Sequence, residues 1–353
     1  MEPVTPLRQP VILISGGSAT SASVQAAATL IASAGAVPLI LSDHVGRVRG
    51  KDLHEEVKRI MQKADGLMVM GNNGDIDPSE YGEPKDSKTN SELVTKDAAG
   101  NETVNEEGMA RRNYETALMR MAIEIGMPMF GVCGGMQRFN VLCGGKLHQH
   151  VPDQMRDAAH NEHEQQKFGI PPYVPVQPVI IKNGTTLASI AEEINMVYTP
   201  ARTAENDMKL NVNSMHHQAV SKLGAGLRAA ATSEDVLKDG SKLIEAMEID
   251  PDGPLGDGPL GKKRFGIFTQ WHPEFSDSPI GTKIANHFTA AVLEFAKATG
   301  REHTLEEVQE ENRISALHVV KPATPDMTVR PESMVDRILK QYASRQPAAG
   351  ISI

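Results

Sequence analysis

The sequence predicts an α/β fold, a three-layer sandwich built on a mostly parallel central sheet. Three observations predict it. Short, near-continuous apolar runs recur through the first half of the chain, as in "VILIS" (11–15) and "GLMVMG" (66–71). Segments with helical spacing alternate with them, which is the rhythm of a parallel sheet covered on both faces. From about Pro175 that rhythm gives way to strands with few helices between them, which predicts an antiparallel extension of the same sheet.

The elements follow in order. "VILIS" ends in Gly-Gly-Ser and reads as a buried strand. Residues 21–34 are Ala-rich and read as a helix closed by Gly35. "AVPLILS" (36–42) is the second strand. "LHEEVKRIMQKA" places Leu53, Val57, Ile60 and Met61 at helical spacing, and "GLMVMG" is the third strand. After a polar excursion, "RRNYETALMRMAIEIG" (111–126) is a helix and "PMFGVC" (128–133) the fourth strand. Later come the strands "VQPVII", "LRAAAT", "LIEAMEI" and "RFGIFTQ", then a closing helix over 280–298. Two segments read as insertions: a polar flap over 83–108, and a loop over 250–263 that repeats "GPLG". After Gly300 the patches "TLEEVQEEN" and "ESMVDRILKQYAS" predict a C-terminal helical tail, so the domain division expected is 1–300 and 301–353.

Composition excludes several classes of function. The formal net charge is −9 and aromatic residues make up 4%, so neither a phosphate-binding stripe nor a base-stacking platform is present. No nucleic-acid partner is expected. The longest apolar stretch, "VQAAATLIASAGAVPLIL", is interrupted by Gln25, Thr29, Ser33, Gly35 and Pro38 and reads as helix, turn and strand, so no membrane partner is expected. Two cysteines ten residues apart make no disulfide framework, and the N-terminus lacks signal-peptide regions. A reducing, cytoplasmic location is the expectation.

The chemistry centres on "FGVCGGMQRF" (130–139), where an apolar strand meets a helix at Cys133. Strand, nucleophile, glycine, helix is the plan of a nucleophile elbow, and the turn needs small neighbours at Gly131 and Gly135. The elbow exposes the sulfur at the carboxyl edge of the sheet, where open α/β folds place their sites. It also sets the sulfur at a helix N-terminus, where free N–H groups favour negative charge, and the Gly134 N–H could serve as an oxyanion donor. The alternative is a buried packing cysteine, which suits Cys143 among its apolar neighbours better. A thiol nucleophile needs a base, and "FTQWHPEF" sets His272 and Glu274 two residues apart at the end of an apolar strand. Such a carboxylate can orient the imidazole, although a surface loop carrying His and Glu is the competing reading. The run His160-Asn-Glu-His163 lacks the order of a metalloprotease motif and shows no third ligand, so neither a metal nor a cofactor is expected.

"GVCGGMQ" resembles the G-x-C-x-G-x-Q elbow of the class I glutamine amidotransferases, and "QWHPEF" resembles their second motif. "GNNGDIDPSEYG" (71–82), "NVLCGGKLHQHV" (140–151) and "VNSMHHQAV" (212–220) narrow the resemblance to the gamma-glutamyl hydrolase branch, peptidase family C26, which includes gamma-glutamyl-gamma-aminobutyrate hydrolases. The resemblance spans roughly residues 10–298 and makes 1–300 the amidotransferase-like domain. It implies Cys133 as nucleophile, His272 as general base and Glu274 as its orienting partner. It further implies an oxyanion hole from Gly134 with a backbone donor near Gly71 or Asn72. Gln137 is implied at the glutamyl head group, and His217 and Gln218 as pocket lining. Asn72 and Asn73 stand where the family has consecutive glycines, and both loops and the tail have no counterpart. The activity implied is hydrolysis of a γ-glutamyl amide in a small-molecule substrate, with a homodimer as the candidate assembly. The alternatives are a glutaminase subunit feeding ammonia to a separate synthetase, and a non-catalytic binding protein.

Overall fold

The computed structural model describes residues 9–18, 20–41, 52–71, 73–156, 163–194, 201–261, 263–275, 279–301 and 318–319. The chain divides into a unit of Met1–Lys321 and a second of Pro322–Ile353, and the second lies outside the described residues. The two helical patches expected in the tail therefore also lie outside them. Within the first unit, β1 (Val11–Ser15), β2 (Val37–Leu41), β3 (Gly66–Val69), β6 (Met129–Val132) and β13 (Gly266–Thr269) run parallel in the order β2-β1-β3-β6-β13. Beyond β13 the pairing turns antiparallel through β12 (Lys242–Ile249), β11 (Leu227–Val236), β8 (Gln177–Ile181) and β9 (Met208–Val212). The antiparallel strands come from the second half of the chain, where the sequence rhythm changes, but "RFGIFTQ", expected in that extension, is β13 and runs parallel to β6 at the centre of the sheet.

Helices cover both faces, which is why the central strands are apolar at successive positions. On one face Val11, Leu13, Leu67 and Met129 pack with α2 (Asp52–Met61), α3 (Glu106–Ile125) and α4 (Gly134–Leu142). On the other, Ile12, Ile14, Met68, Phe130 and Val132 pack with α1 (Ala22–Ser33), α6 (Thr186–Glu192) and α7 (Pro279–Ala298). Ser21 caps α1 by accepting from the Val24 N–H, and Gly126 ends α3 in a left-handed conformation at φ 74°. α3 begins five residues before the apolar spacing suggests, because Asn105 caps it by accepting from the Gly108 N–H and Glu106 and Glu107 occupy its positive end. Among the described residues no helix is long and apolar enough to cross a membrane.

The insertion at 83–108 has structure of its own. β4 (Val94–Lys96) and β5 (Glu102–Val104) form an antiparallel hairpin with Thr95 opposite Thr103. Its base is anchored: Ser91 pairs with Asp75, the Glu92 N–H donates to the Asp75 carbonyl, and the buried Glu92 carboxylate meets Arg138 of α4. Lys88 pairs with Asp153, and Thr89 donates to Gln149. The segment reads as polar because its tip is exposed while its base makes polar rather than apolar contacts. β14 (His318–Val319) pairs antiparallel with β2, so two residues of the region assigned to the tail belong to the sheet.

Candidate active site

Three neighbouring parallel strands deliver the central residues to one edge. Val69 of β3 is in register with Gly131 of β6, and Val132 of β6 with Thr269 of β13. The residues just past these ends are Gly71, Cys133 and the run Gln270 to Glu274. Cys133 lies between β6 and α4 with φ 52° and ψ −111°, a region costing roughly 1–2 kcal/mol for a residue with a side chain. The Cys133 N–H donates to the Thr269 carbonyl at 2.7 Å, which ties the turn to β13. The glycines around it are needed for close approach. A Cβ on Gly135 would run into the Val69 carbonyl, and one on Gly131 into the Phe268 ring. The Cys133 side chain makes no helix-capping bond, and the Gly134 N–H, first of the helix, has no helical carbonyl to meet.

His272 has a partner on two sides. Its Nδ1 lies 2.7 Å from Glu274 Oε1, and the Cys133 thiol is the other group acting on the ring, which leaves Nε2 for the sulfur. Burial works against charge on this imidazole, but Glu274 and Cys133 outweigh it and push the pKa up to about 10. Pro273 makes the link between His272 and Glu274 rigid, and Asn213 fixes the backbone there. The His272 N–H donates to Asn213 Oδ1 at 2.9 Å, while Asn213 Nδ2 donates to the His272 carbonyl at 2.8 Å. Gly71 completes the group: a Cβ there would contact both Cys133 and His272. Its carbonyl accepts from Arg111 Nη2 at 2.9 Å. Asn72, the alternative oxyanion donor, lies outside the described residues.

The remaining expected residues surround this centre. Gln137, implied at the substrate head group, commits its amide N–H donors inside the protein, to the Gln218 carbonyl at 2.9 Å and to Gln270 Oε1 at 3.1 Å. What it supplies is order, because Gln270 in turn donates to the Cys133 sulfur at 3.6 Å. Gln218 is buried, accepting from the Ile76 N–H and donating to the Gln149 carbonyl. His217 is partly exposed and sits 2.9 Å from Asp75, whose hydrogen bond raises its pKa against the opposing effect of burial. Cys143 lies at the far end of α4, away from the elbow, and burial pushes its thiol up to about 11. Of the His160–His163 run, His160 lies outside the described residues, while His163 is buried beside His216 and Glu245.

Several site residues escaped sequence reasoning. Gln270 and Asn213 lie inside quoted motifs, so adjacency was the available signal. A buried ionic network had no such signal. Glu115 of α3 accepts from Ser15 Oγ at 3.1 Å, Arg111 Nε at 2.8 Å and Arg138 Nε at 3.2 Å. Through Arg111 it holds the Gly71 carbonyl, and through Arg138 it reaches Glu92 at the base of the hairpin. The turn over Cys133 is thereby fastened to two helices and the insertion.

A cysteine on a strained strand-to-helix turn, beside a histidine that a carboxylate orients, can carry out acyl transfer. Relatives are named accordingly. The chain is 27% identical over 266 residues to a glutamine amidotransferase-like protein of Rickettsia prowazekii, covering 69% of this chain and 79% of that one. It is 29% identical over 249 residues to another of Lactococcus lactis, covering 70% and 80%. With a gamma-glutamyl-gamma-aminobutyrate hydrolase of Escherichia coli it shares 24% over 227 residues, covering 63% and 68%. The family model described as Peptidase C26 matches residues 15–274, and the chain, with its elbow and its His-Pro-Glu segment both inside that match, belongs to the Peptidase C26 family.

Proposed function

We propose that this chain is a cysteine hydrolase that cleaves the γ-glutamyl amide bond of a small γ-glutamyl compound, releasing glutamate and an amine. The observation that carries the reading is Cys133, held at φ 52° on the elbow, with His272 beside it across Gly71 and bonded at 2.7 Å to Glu274. The raised pKa of His272 suits an imidazolium paired with a thiolate. Family membership and the E. coli hydrolase relative support the substrate class.

The reaction follows from the roles. The thiolate attacks the δ-carbonyl carbon, a C–S bond forms and the carbonyl electron pair moves onto oxygen. The oxyanion meets the Gly134 N–H and a backbone donor near Gly71. As the tetrahedral intermediate collapses, the C–N bond breaks and His272 gives its proton to the leaving amine. The neutral imidazole then takes a proton from water, which attacks the thioester. Glutamate departs and the thiolate–imidazolium pair is restored. Glu274 orients His272 and stabilises its charge throughout. Gln137 and Gln218 act by position, and His217, with its exposed edge, is the residue we place against the substrate.

The test is a panel of γ-glutamyl amides and free glutamine, with glutamate and amine release measured for the wild type and Cys133→Ala. Release of both products from γ-glutamyl amides, absent in the variant, is expected. Hydrolysis of glutamine alone, and only with an added synthetase, would replace this reading with that of a glutaminase subunit.

A further inference from the structure

The glutamines behind Cys133 rest on a cluster that the proposed reaction does not use. His163, His216 and Glu245 are all buried, and one ligand atom from each lies within 4.8 Å of the others. They come from distant places: the segment entering the 165–168 turn, the loop before β10 (Ala219–Lys222), and the middle of β12. Four side-chain atoms here are buried with no hydrogen-bond partner, namely His163 Nδ1, His216 Nε2, Glu245 Oε2 and Gln177 Oε1. Orphaned buried polar atoms are rare singly, and four together point to a missing occupant.

We infer that His163, His216, Glu245 and Gln177 form a site for one divalent transition-metal ion of the zinc type, and that the ion is structural.

The orientation of the His216 ring argues for a cation. His216 Nδ1 lies 2.9 Å from the Gln218 carbonyl, which can only accept, so Nδ1 carries the proton. The other ring nitrogen, Nε2, then faces the Glu245 carboxylate oxygen 3.7 Å away. A ring nitrogen anchored by a backbone carbonyl, with its other nitrogen aimed inward, is how metal-binding histidines are oriented. One nitrogen of each imidazole therefore faces the Glu245 carboxylate without a hydrogen-bond partner.

The spacings separate an ion from water. His163 Nδ1 is 3.8 Å from Glu245 Oε1, and His216 Nε2 is 3.7 Å from Oε2. Both are too long for direct hydrogen bonds. Two atoms bridged by one water at about 2.8 Å and a tetrahedral angle stand about 4.6 Å apart. Two ligands about 2.1 Å from a shared zinc stand about 3.4 Å apart. These two pairs are nearer the second value, and the remaining pair, within 4.8 Å, needs inward rotation of about 1 Å or less to come into range. Gln177 lies beside His163 and donates to Glu245 Oε1 at 2.7 Å, so its orphaned Oε1 can complete a four-coordinate nitrogen–oxygen set. Imidazole with carboxylate and amide oxygen suits zinc among the common ions.

The position supplies a purpose. The Glu245 carbonyl accepts from the Gln270 N–H at 2.7 Å, and the Gln218 carbonyl is held by His216 and by Gln137. An ion here would fix the two glutamines on which the Cys133 environment rests, without touching the sulfur. The inference does not depend on which γ-glutamyl compound is cleaved.

The experiment uses the untagged full chain produced with zinc in the medium, with metal read by plasma mass spectrometry after gel filtration. About one zinc per chain is expected, removed by a strong chelator with a fall in Tm that added zinc reverses. Cys133→Ala should keep the metal, whereas Glu245→Gln and His216→Ala should lose it. Should those buried variants fail to fold, the cobalt-substituted wild type decides: tetrahedral visible bands without a sulfur-to-cobalt charge-transfer band support the site. A metal content below about a tenth of the chain, loss of metal in Cys133→Ala, or a sulfur charge-transfer band would overturn it.

Discussion

Replacing Glu274 by Gln keeps the volume of the side chain and removes its charge, so it isolates what the carboxylate does for His272. The carboxylate side chain is wholly buried and lies 2.7 Å from Nδ1. A hydrogen bond to a charged group contributes about 1.5–3 kcal/mol, and 1.36 kcal/mol corresponds to one pKa unit or a tenfold rate. The imidazole, pushed up to about 10 in the wild type, should therefore fall by about 1–2 units. If the transition state carries the imidazolium, kcat/KM should drop about 10–150-fold. The assay is the pH profile of kcat/KM on a small γ-glutamyl anilide. The basic limb, where the imidazolium loses its proton, should move to lower pH in Glu274→Gln. Stability shifts in the same sense. A histidine whose folded pKa lies above its free value of about 6.5 contributes stability fully below that pH. That contribution is lost as pH rises through about 10 in the wild type, and at lower pH in the variant. A basic limb that does not move, or a kcat/KM within about twofold of wild type, would refute the pairing.

Other substitutions follow from the same geometry. Cys133→Ala should abolish turnover, while Cys143→Ala, at a thiol that burial pushes up to about 11, should leave kcat/KM near wild type; labelling of Cys143 by an electrophilic glutamine analogue would reverse that assignment. Asn213→Ala removes the two hydrogen bonds that hold the His272 backbone, and a loss of about 1–3 kcal/mol in denaturant-melt stability together with reduced kcat is expected. Stability and kcat equal to wild type would show that another contact holds the loop. Replacing residues 95–103 of the hairpin tip by a short Gly/Ser linker leaves the Glu92–Arg138 anchor intact. It should alter selectivity among γ-glutamyl amides more than hydrolysis of the anilide, and unchanged relative rates in the folded variant would remove the hairpin as the selector.

Four of the parallel strands were legible because β1, β2, β3 and β6 are buried on both faces and read as apolar runs, whereas β13, expected among the antiparallel strands because it comes late in the chain, runs parallel to β6. The elbow was legible for a local reason too: Gly131 and Gly135 are dictated by contacts within a few ångströms of the turn. What was not legible depends on partners far away in sequence. β7 (Lys146–His148), β9 and β10 are short and half-polar, and only their sheet neighbours identify them. Arg111, Glu115 and Arg138 look like solvated helix faces, yet they are buried because they meet each other, Gly71 and Glu92. Gln137 bears an expected motif position, but its partners are Gln218 and Gln270, which no spacing rule brings together. The cluster of His163, His216 and Glu245 likewise joins residues with no common local pattern, so a local run such as His160–His163 could not reveal it.

The central claim is that Cys133 forms a glutamyl thioester. Acid-quenched single turnover of a γ-glutamyl anilide, followed by peptide mapping at low pH, tests it most directly. The account predicts a transient glutamyl adduct on the peptide carrying Cys133, accumulating in His272→Ala if that variant still acylates and absent in Cys133→Ala. Product release with no acylated cysteine at any time point, or an adduct on Cys143, would contradict it.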